Sequence, residues 1–130
     1  MIVDTSALIA VLNREPERDA FVRAMMGDAR IRLGAPTVLE AHLVVGRDRG
    51  MDLDDLLKEF DARIEAFDAR LLSLARHAHD HYGRGSGSKA RLNFGDCFSY
   101  ALAKDTGEPL LFKGSDFTHT DVAPAIVAKG

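Results

Sequence analysis

A chain of 130 residues is short for two domains, yet it can bury roughly two-thirds of its unfolded surface, so one core without metal or disulfide staples is expected over 1–130. Hydrophobic residues at 46% and charged residues at 28% exclude wholesale disorder. A net charge of −3 excludes a partner held by global positive charge and leaves room only for a local basic patch.

The single cysteine, Cys97, cannot form an intrachain disulfide and fits a reducing compartment. Residues 1–6 lack the basic start of a signal peptide and place Asp4 ahead of the apolar run Ala7 to Leu12, which is too short to cross a membrane. A cytoplasmic protein with no membrane partner is expected.

Ile2 and Val3 predict a short buried strand ending at Asp4. Asp4, Thr5 and Ser6 are all helix-capping types, and a helix follows from Ala7 to Asn13. Pro16 suits the first turn of a second helix running through Phe21 and Met25 to a stop at Gly27. Arg30 to Leu33 read as a second strand, and Pro36 opens a helix carrying Glu40 that stops near Gly50. Asp52 caps a helix whose Leu53, Leu56, Leu57, Phe60 and Ile64 keep helical spacing. Ala66 to Asp68 form a weak third strand, followed by a helix from Arg70 to Tyr82. Glycines and serines break the pattern from Gly83 to Asn93; Phe94 to Asp105 resume it as a helix, which Gly107 ends. Leu110 to Phe112 form a strand, Gly114 to Phe117 a turn, and a short edge strand near Val122 closes the chain. Alternating strands and helices predict an α/β fold with a mainly parallel sheet of about five strands flanked by helices.

In such sheets ligands gather beyond the carboxyl ends of the strands. Asp4 ends the first strand, Glu40 lies in the helix after the second, and Asp116 follows the strand at 110–112. Asp96 opens a helix and reaches the same edge if the helix ending at Tyr82 runs down and the segment 83–94 climbs back. That segment can span ~40 Å when extended, against ~21 Å for the preceding helix. Four carboxylates at one rim repel unless a cation compensates. Oxygen-only donors select Mg²⁺ or Mn²⁺, which can polarise a phosphodiester and activate water. Singly, each acid also has a plain explanation as a cap, a turn former or a solvated helix residue.

At these residues the chain resembles a known family. Met1 to Ala7, Glu40 after Pro36, the run Leu92-Asn93-Phe94-Gly95-Asp96-Cys97 and the run Leu111-Phe112-Lys113-Gly114-Ser115-Asp116-Phe117 resemble the landmarks of PIN-domain ribonucleases, in particular the VapC toxins of bacterial toxin–antitoxin pairs. The resemblance implies a PIN-like three-layer sandwich and a Mg²⁺- or Mn²⁺-dependent endoribonuclease that cuts structured RNA such as tRNA and stops translation. It further implies a homodimer restrained by a small VapB-type antitoxin. By position it makes Asp4 and Asp96 the main metal ligands, with Glu40 and Asp116 completing the cluster. Thr5 or Ser6 would hydrogen-bond near the site, and Asn93 would brace its loop. One departure is visible: Ser88-Lys89-Ala90 stands where many relatives carry His-Pro-Ala.

The segment 83–93 lacks the Gly-Lys-Ser/Thr ending of a nucleotide P-loop and follows a helix rather than a strand. It carries Arg84, Lys89 and Arg91 with no acid among them, which with nearby Lys113 suits an RNA backbone; an ordinary solvated loop is the alternative. His77 and His81 share a helix face without the Glu of a zinc-protease motif, and Cys97 reads as a packed apolar residue beside Phe98. Two rival functions stay open. An Asp4-based phosphatase or phospho-acceptor would want a second Asp where Ser6 stands, and a non-catalytic PIN-fold RNA-binding module would not need all four acids.

Overall fold

The computed structural model describes residues 1–28 and 30–126. Its sheet has four parallel strands: β1 (Ile2–Val3), β2 (Arg32–Gly34), β3 (Arg63–Glu65) and β4 (Leu110–Leu111), in the order β3-β2-β1-β4. Ile2 stands in register with Arg32 on one side and Leu110 on the other. Strand order therefore reverses at β1, between its early neighbour β2 and its late neighbour β4. The crevice beyond that carboxyl end is where an open α/β sheet takes its ligand, and Asp4 is the next residue.

Side chains alternate across the strands and divide the core into two halves. Val3, Leu33 and Leu111 pack with α1 (Thr5–Leu12), α2 (Arg18–Met26), α3 (Ala35–Val45) and α4 (Gly50–Glu59). Ile2 and Leu110 pack on the opposite face with α5 (Ala69–Tyr82) and α6 (Phe94–Thr106), where Tyr100, Ala101 and Leu102 are buried. The three-layer arrangement matches expectation. No helix among the described residues is long and apolar enough to cross a membrane.

Four differences from the sequence reading have physical causes. The fifth strand shrinks to a single parallel bridge between Leu110 and Pro124, because Pro124 has no N–H with which to continue a ladder. The third strand lies at 63–65 rather than 66–68, which moves Ile64 from the α4 stripe into β3, where it is half exposed. The helix carrying Glu40 stops at Val45, since Gly46 takes φ +95°, and Gly50 opens α4 instead of ending α3.

The fourth concerns α5. Arg70, at its start, pairs with Asp105 near the end of α6, while Gly83, just past its end, bridges Leu92 just before α6 begins. The two helices thus form an antiparallel hairpin. It follows that α5 climbs toward the carboxyl edge and that residues 66–68 make the descent. The loop 83–93 caps the hairpin at the rim and does not have to traverse the sheet.

Candidate active site

Asp4 caps α1 and is 2% exposed. Its Oδ2 accepts hydrogen bonds from the Ser6 N–H at 3.1 Å and the Ser6 hydroxyl at 2.7 Å; its Oδ1 accepts from the Ser99 hydroxyl at 2.5 Å. Ser6 Oγ in turn accepts the Lys113 N–H at 3.0 Å, which ties the end of β1 to the segment after β4. Thr5 is buried and donates to the Thr37 carbonyl at 3.4 Å.

Asn93 and Asp96 form a reciprocal cap on α6: the Asp96 N–H donates to Asn93 Oδ1 and the Asn93 N–H donates to Asp96 Oδ2, each at 2.9 Å. This fixes the Asp96 carboxyl at a helix N-terminus. Glu40, in the second turn of α3, lays its carboxylate over Gly95 so closely that a Cβ there would collide with it. Asp116 opens a short 3-10 helix after β4.

The electrostatics of Asp96 join these acids. Its proton affinity is pushed up to about 7, from 3.8, mainly by burial; the Asn93 N–H opposes this, and the charges of Asp4, Asp116 and Glu40 reinforce it. The geometry agrees for two of them: the Glu40 carboxylate lies against Gly95, next to Asp96, and Ser99, one turn along α6 from Asp96, holds Asp4. Among the described residues, no Lys, Arg or His forms an ion pair with any of the four. Nor do any three His, Cys, Asp or Glu side chains there gather closely enough to cage an ion by themselves. Oxygen donors set around a rim fit a hydrated Mg²⁺ or Mn²⁺, which keeps several waters and takes one or two carboxylates, better than a fully caged ion.

The loop 83–93 is built rather than merely solvated. Leu92 and Ala90 are buried, the Leu92 N–H bonds the Tyr82 carbonyl at 2.9 Å, and Ser86 and Ser88 bond loop backbone. Arg91 sits in the left-handed region at φ +49°, a strained choice for a side chain of this size. Arg84 and Arg91 line an open cleft of about 670 Å³ with Asp116, so the basic loop adjoins the acidic rim. Lys89 is exposed on the same loop. The Lys113 ammonium is already engaged, with Glu15 at 2.6 Å and Glu17 at 3.2 Å, so Lys113 enters the site through its backbone amide.

Residues 1–123 match the PIN domain family. Ribonuclease VapC28 of Mycobacterium tuberculosis is 46% identical over 130 residues, 97% of this chain and 98% of its own length. This chain belongs to the PIN-domain family, beside the VapC ribonucleases. Ribonuclease VapC42 of the same organism is 44% identical over 129 residues, covering 96% of this chain and 98% of its own. The crystal structure of M. tuberculosis VapC20, described as a Sarcin-Ricin loop cleaving toxin, shares the fold with a TM-score of 0.70 over 94% of this chain and 95% of its own, at 17% identity.

Two residues of this PIN domain were not predicted to serve the site. Ser99 is 2% exposed and holds Asp4 Oδ1; its spacing of three from Asp96, which puts both on one side of α6, was the available signal. Gly95 makes room for Glu40. Ser99→Ala should cost about 1–3 kcal/mol, because a buried carboxylate oxygen loses its hydroxyl partner. Urea unfolding measures this, and an unchanged midpoint would show that Asp4 does not depend on that bond. The remaining candidates stay outside the site. His77 and His81 stack at 4.0 Å between ring centroids on an exposed face of α5, and burial, followed by the Asp96 charge, pushes the Cys97 thiol up, away from nucleophile chemistry.

Proposed function

We propose that this chain is a Mg²⁺- or Mn²⁺-dependent endoribonuclease, the toxin of a VapBC-type module, hydrolysing phosphodiester bonds of structured RNA such as tRNA and so inhibiting translation. The observation that carries the reading is the set of four acids around Asp96 that, among the described residues, have no cationic ion-pair partner, beside a cleft lined by Arg84 and Arg91. The VapC ribonucleases at 44% and 46% identity support the same activity.

Asp4 and Asp96 would hold the ion, with Glu40 and Asp116 on its water or on a second ion. The ion would supply charge stabilisation at the phosphate and a water acidic enough to attack near neutral pH. Ser6 and Ser99 orient Asp4 by hydrogen bonds, and the Asn93 cap orients Asp96. Arg84, Lys89 and Arg91 bind the phosphate backbone on either side of the cut bond, and their weight should appear as a salt-dependent affinity.

A VapB-type antitoxin and a second copy of the chain are the proposed protein partners. Leu39, Leu43 and Val44 on α3 and Met51 on α4 are each more than half exposed, a surface suited to covering by protein.

The test is incubation of the purified chain with total cellular RNA, with Mn²⁺ or with excess chelator, beside Asp4→Asn. Defined cuts are expected with Mn²⁺ and none with chelator or with Asp4→Asn; sequencing the new ends identifies the RNA. Equal cutting in chelator, or by Asp4→Asn, would overturn the reading.

A further inference from the structure

Phe94, the first residue of α6, is 81% exposed, although a large aromatic ring gains most from burial. It is not loose. Phe98 meets it edge-to-face at 4.8 Å between ring centroids, and Phe67 meets Phe98 likewise at 4.9 Å. The ring is braced from within and open to solvent without. It stands at the mouth of a groove of about 660 Å³ between α5 and α6, with apolar walls that include Leu72 and cations at Arg76 and Arg84. That volume lies in the range of small-ligand sites.

Position separates this groove from an ordinary apolar patch. Asn93 lines it and caps the helix that carries Asp96, and Arg84 lines both this groove and the cleft containing Asp116. A polyanion passing the acidic rim through the Arg84 cleft would therefore bring its neighbouring unit over Phe94. Arg76 and Arg84 against one acid, Asp80, favour a polyanion over an acidic peptide helix. Unpaired bases of RNA are held by aromatic faces in this way, with guanidinium groups on the adjoining phosphates.

We infer that the α5–α6 groove is a nucleobase subsite in which an unstacked base next to the cleaved bond stacks on Phe94 while Arg84 holds the intervening phosphate. The inference rests on the ribonuclease reading and specifies its substrate as RNA with a single-stranded or splayed-out base at the cut. Phe94 is then a specificity-determining residue.

The experiment compares the full chain with Phe94→Leu, which keeps apolar bulk and loses the ring face, and with Phe94→Trp, which restores a ring face. Because Phe94 is exposed, melting temperatures should agree among the three. The probe is a short single-stranded oligoribonucleotide bearing 2-aminopurine, in excess chelator so that no cutting intervenes. Wild type should quench its fluorescence, Phe94→Leu should bind about 5- to 150-fold more weakly, and Phe94→Trp should recover binding. An abasic oligonucleotide should bind wild type no better than the 2-aminopurine one binds Phe94→Leu. With Mn²⁺ and total RNA, Phe94→Leu should also spread its cuts over more sequences.

Equal binding of the 2-aminopurine oligonucleotide by wild type and Phe94→Leu overturns the subsite, and so does equal binding of the abasic oligonucleotide. A change in sedimentation on Phe94→Leu with RNA affinity untouched also overturns it and makes the groove a protein interface. A wild type that cuts RNA while Phe94→Leu binds and cuts identically removes the subsite alone. A wild type that quenches through Phe94 but never cuts removes the nuclease reading and leaves the base site standing.

Discussion

Asp96→Asn is expected to slow RNA cleavage by about 100-fold or more, the order seen when one polar group aimed at a reaction centre is removed, and at the same time to stabilise the ion-free protein. The two effects share one cause. Burial first, then the charges of Asp4, Asp116 and Glu40, make an ionised Asp96 unfavourable in the folded chain and push its pKa up to about 7 from 3.8. The folded state therefore binds more protons than the unfolded state between those values, and stability falls as pH rises through that window. The contribution of Asp96 is fully present below about pH 4 and lost above about pH 7.

A shift of that size would be worth ~4 kcal/mol at full strength. Screening of a partly exposed carboxyl, and the loss of a favourable charge at a helix N-terminus, reduce the expected gain at pH 8 to about 1–2 kcal/mol. Asparagine keeps a side-chain oxygen for the Asn93 N–H, so the cap survives the change. Urea midpoints in chelator should lie closer together at pH 5 than at pH 8, with the variant the more stable and its advantage largest at pH 8. A variant less stable at pH 8 would mean that Asp96 is held by interactions other than those seen.

Gly95→Ala should also separate activity from stability. The added methyl would occupy the space of the Glu40 carboxylate. What must move is the end of a flexible side chain, so the fold loses little, and replacing glycine by alanine within a helix returns up to about 1 kcal/mol. A melting temperature equal to or above that of wild type is expected. Cleavage should fall about 100-fold, as when a group at a reaction centre is displaced by about an ångström. Full activity with an intact fold would remove Glu40 from the site.

The rim was legible in the sequence because each acid stands beside a feature that sets its height on the sheet. Asp4 ends a strand, Asp96 opens a capped helix, Glu40 follows a strand–Pro–helix junction, and Asp116 follows the last strand. The direction of α5 was not legible. Its hydrophobic spacing gives the face that it buries but not the end at which it starts, and the descent at 66–68 carries no signal of its own. Asp96 opens α6 at the carboxyl edge whichever way α5 runs, because α6 must descend to feed a parallel β4.

Other misses are of the same long-range kind. The spacing of Ile64 fits the α4 stripe, yet pairing of β3 with β2 over three residues draws it into the sheet. Lys113 reads as a free cation until Glu15 and Glu17, almost a hundred residues earlier, are seen to hold it. Ser99 and Gly95 serve the site by proximity to Asp4 and Glu40, a relation that exists only once α6 lies against the end of β1 and against α3.

The proposed site requires Asp4, Glu40, Asp96 and Asp116 to share a divalent ion. The most direct measurement is titration of Mn²⁺ into the chelator-stripped chain, followed by the loss of the free-ion electron paramagnetic resonance signal, for wild type and Asp96→Asn. Saturable uptake by wild type that Asp96→Asn weakens at least about tenfold, a loss of about 1.4 kcal/mol, is the predicted result. Uptake that is absent from wild type, or identical in the two proteins, would contradict it.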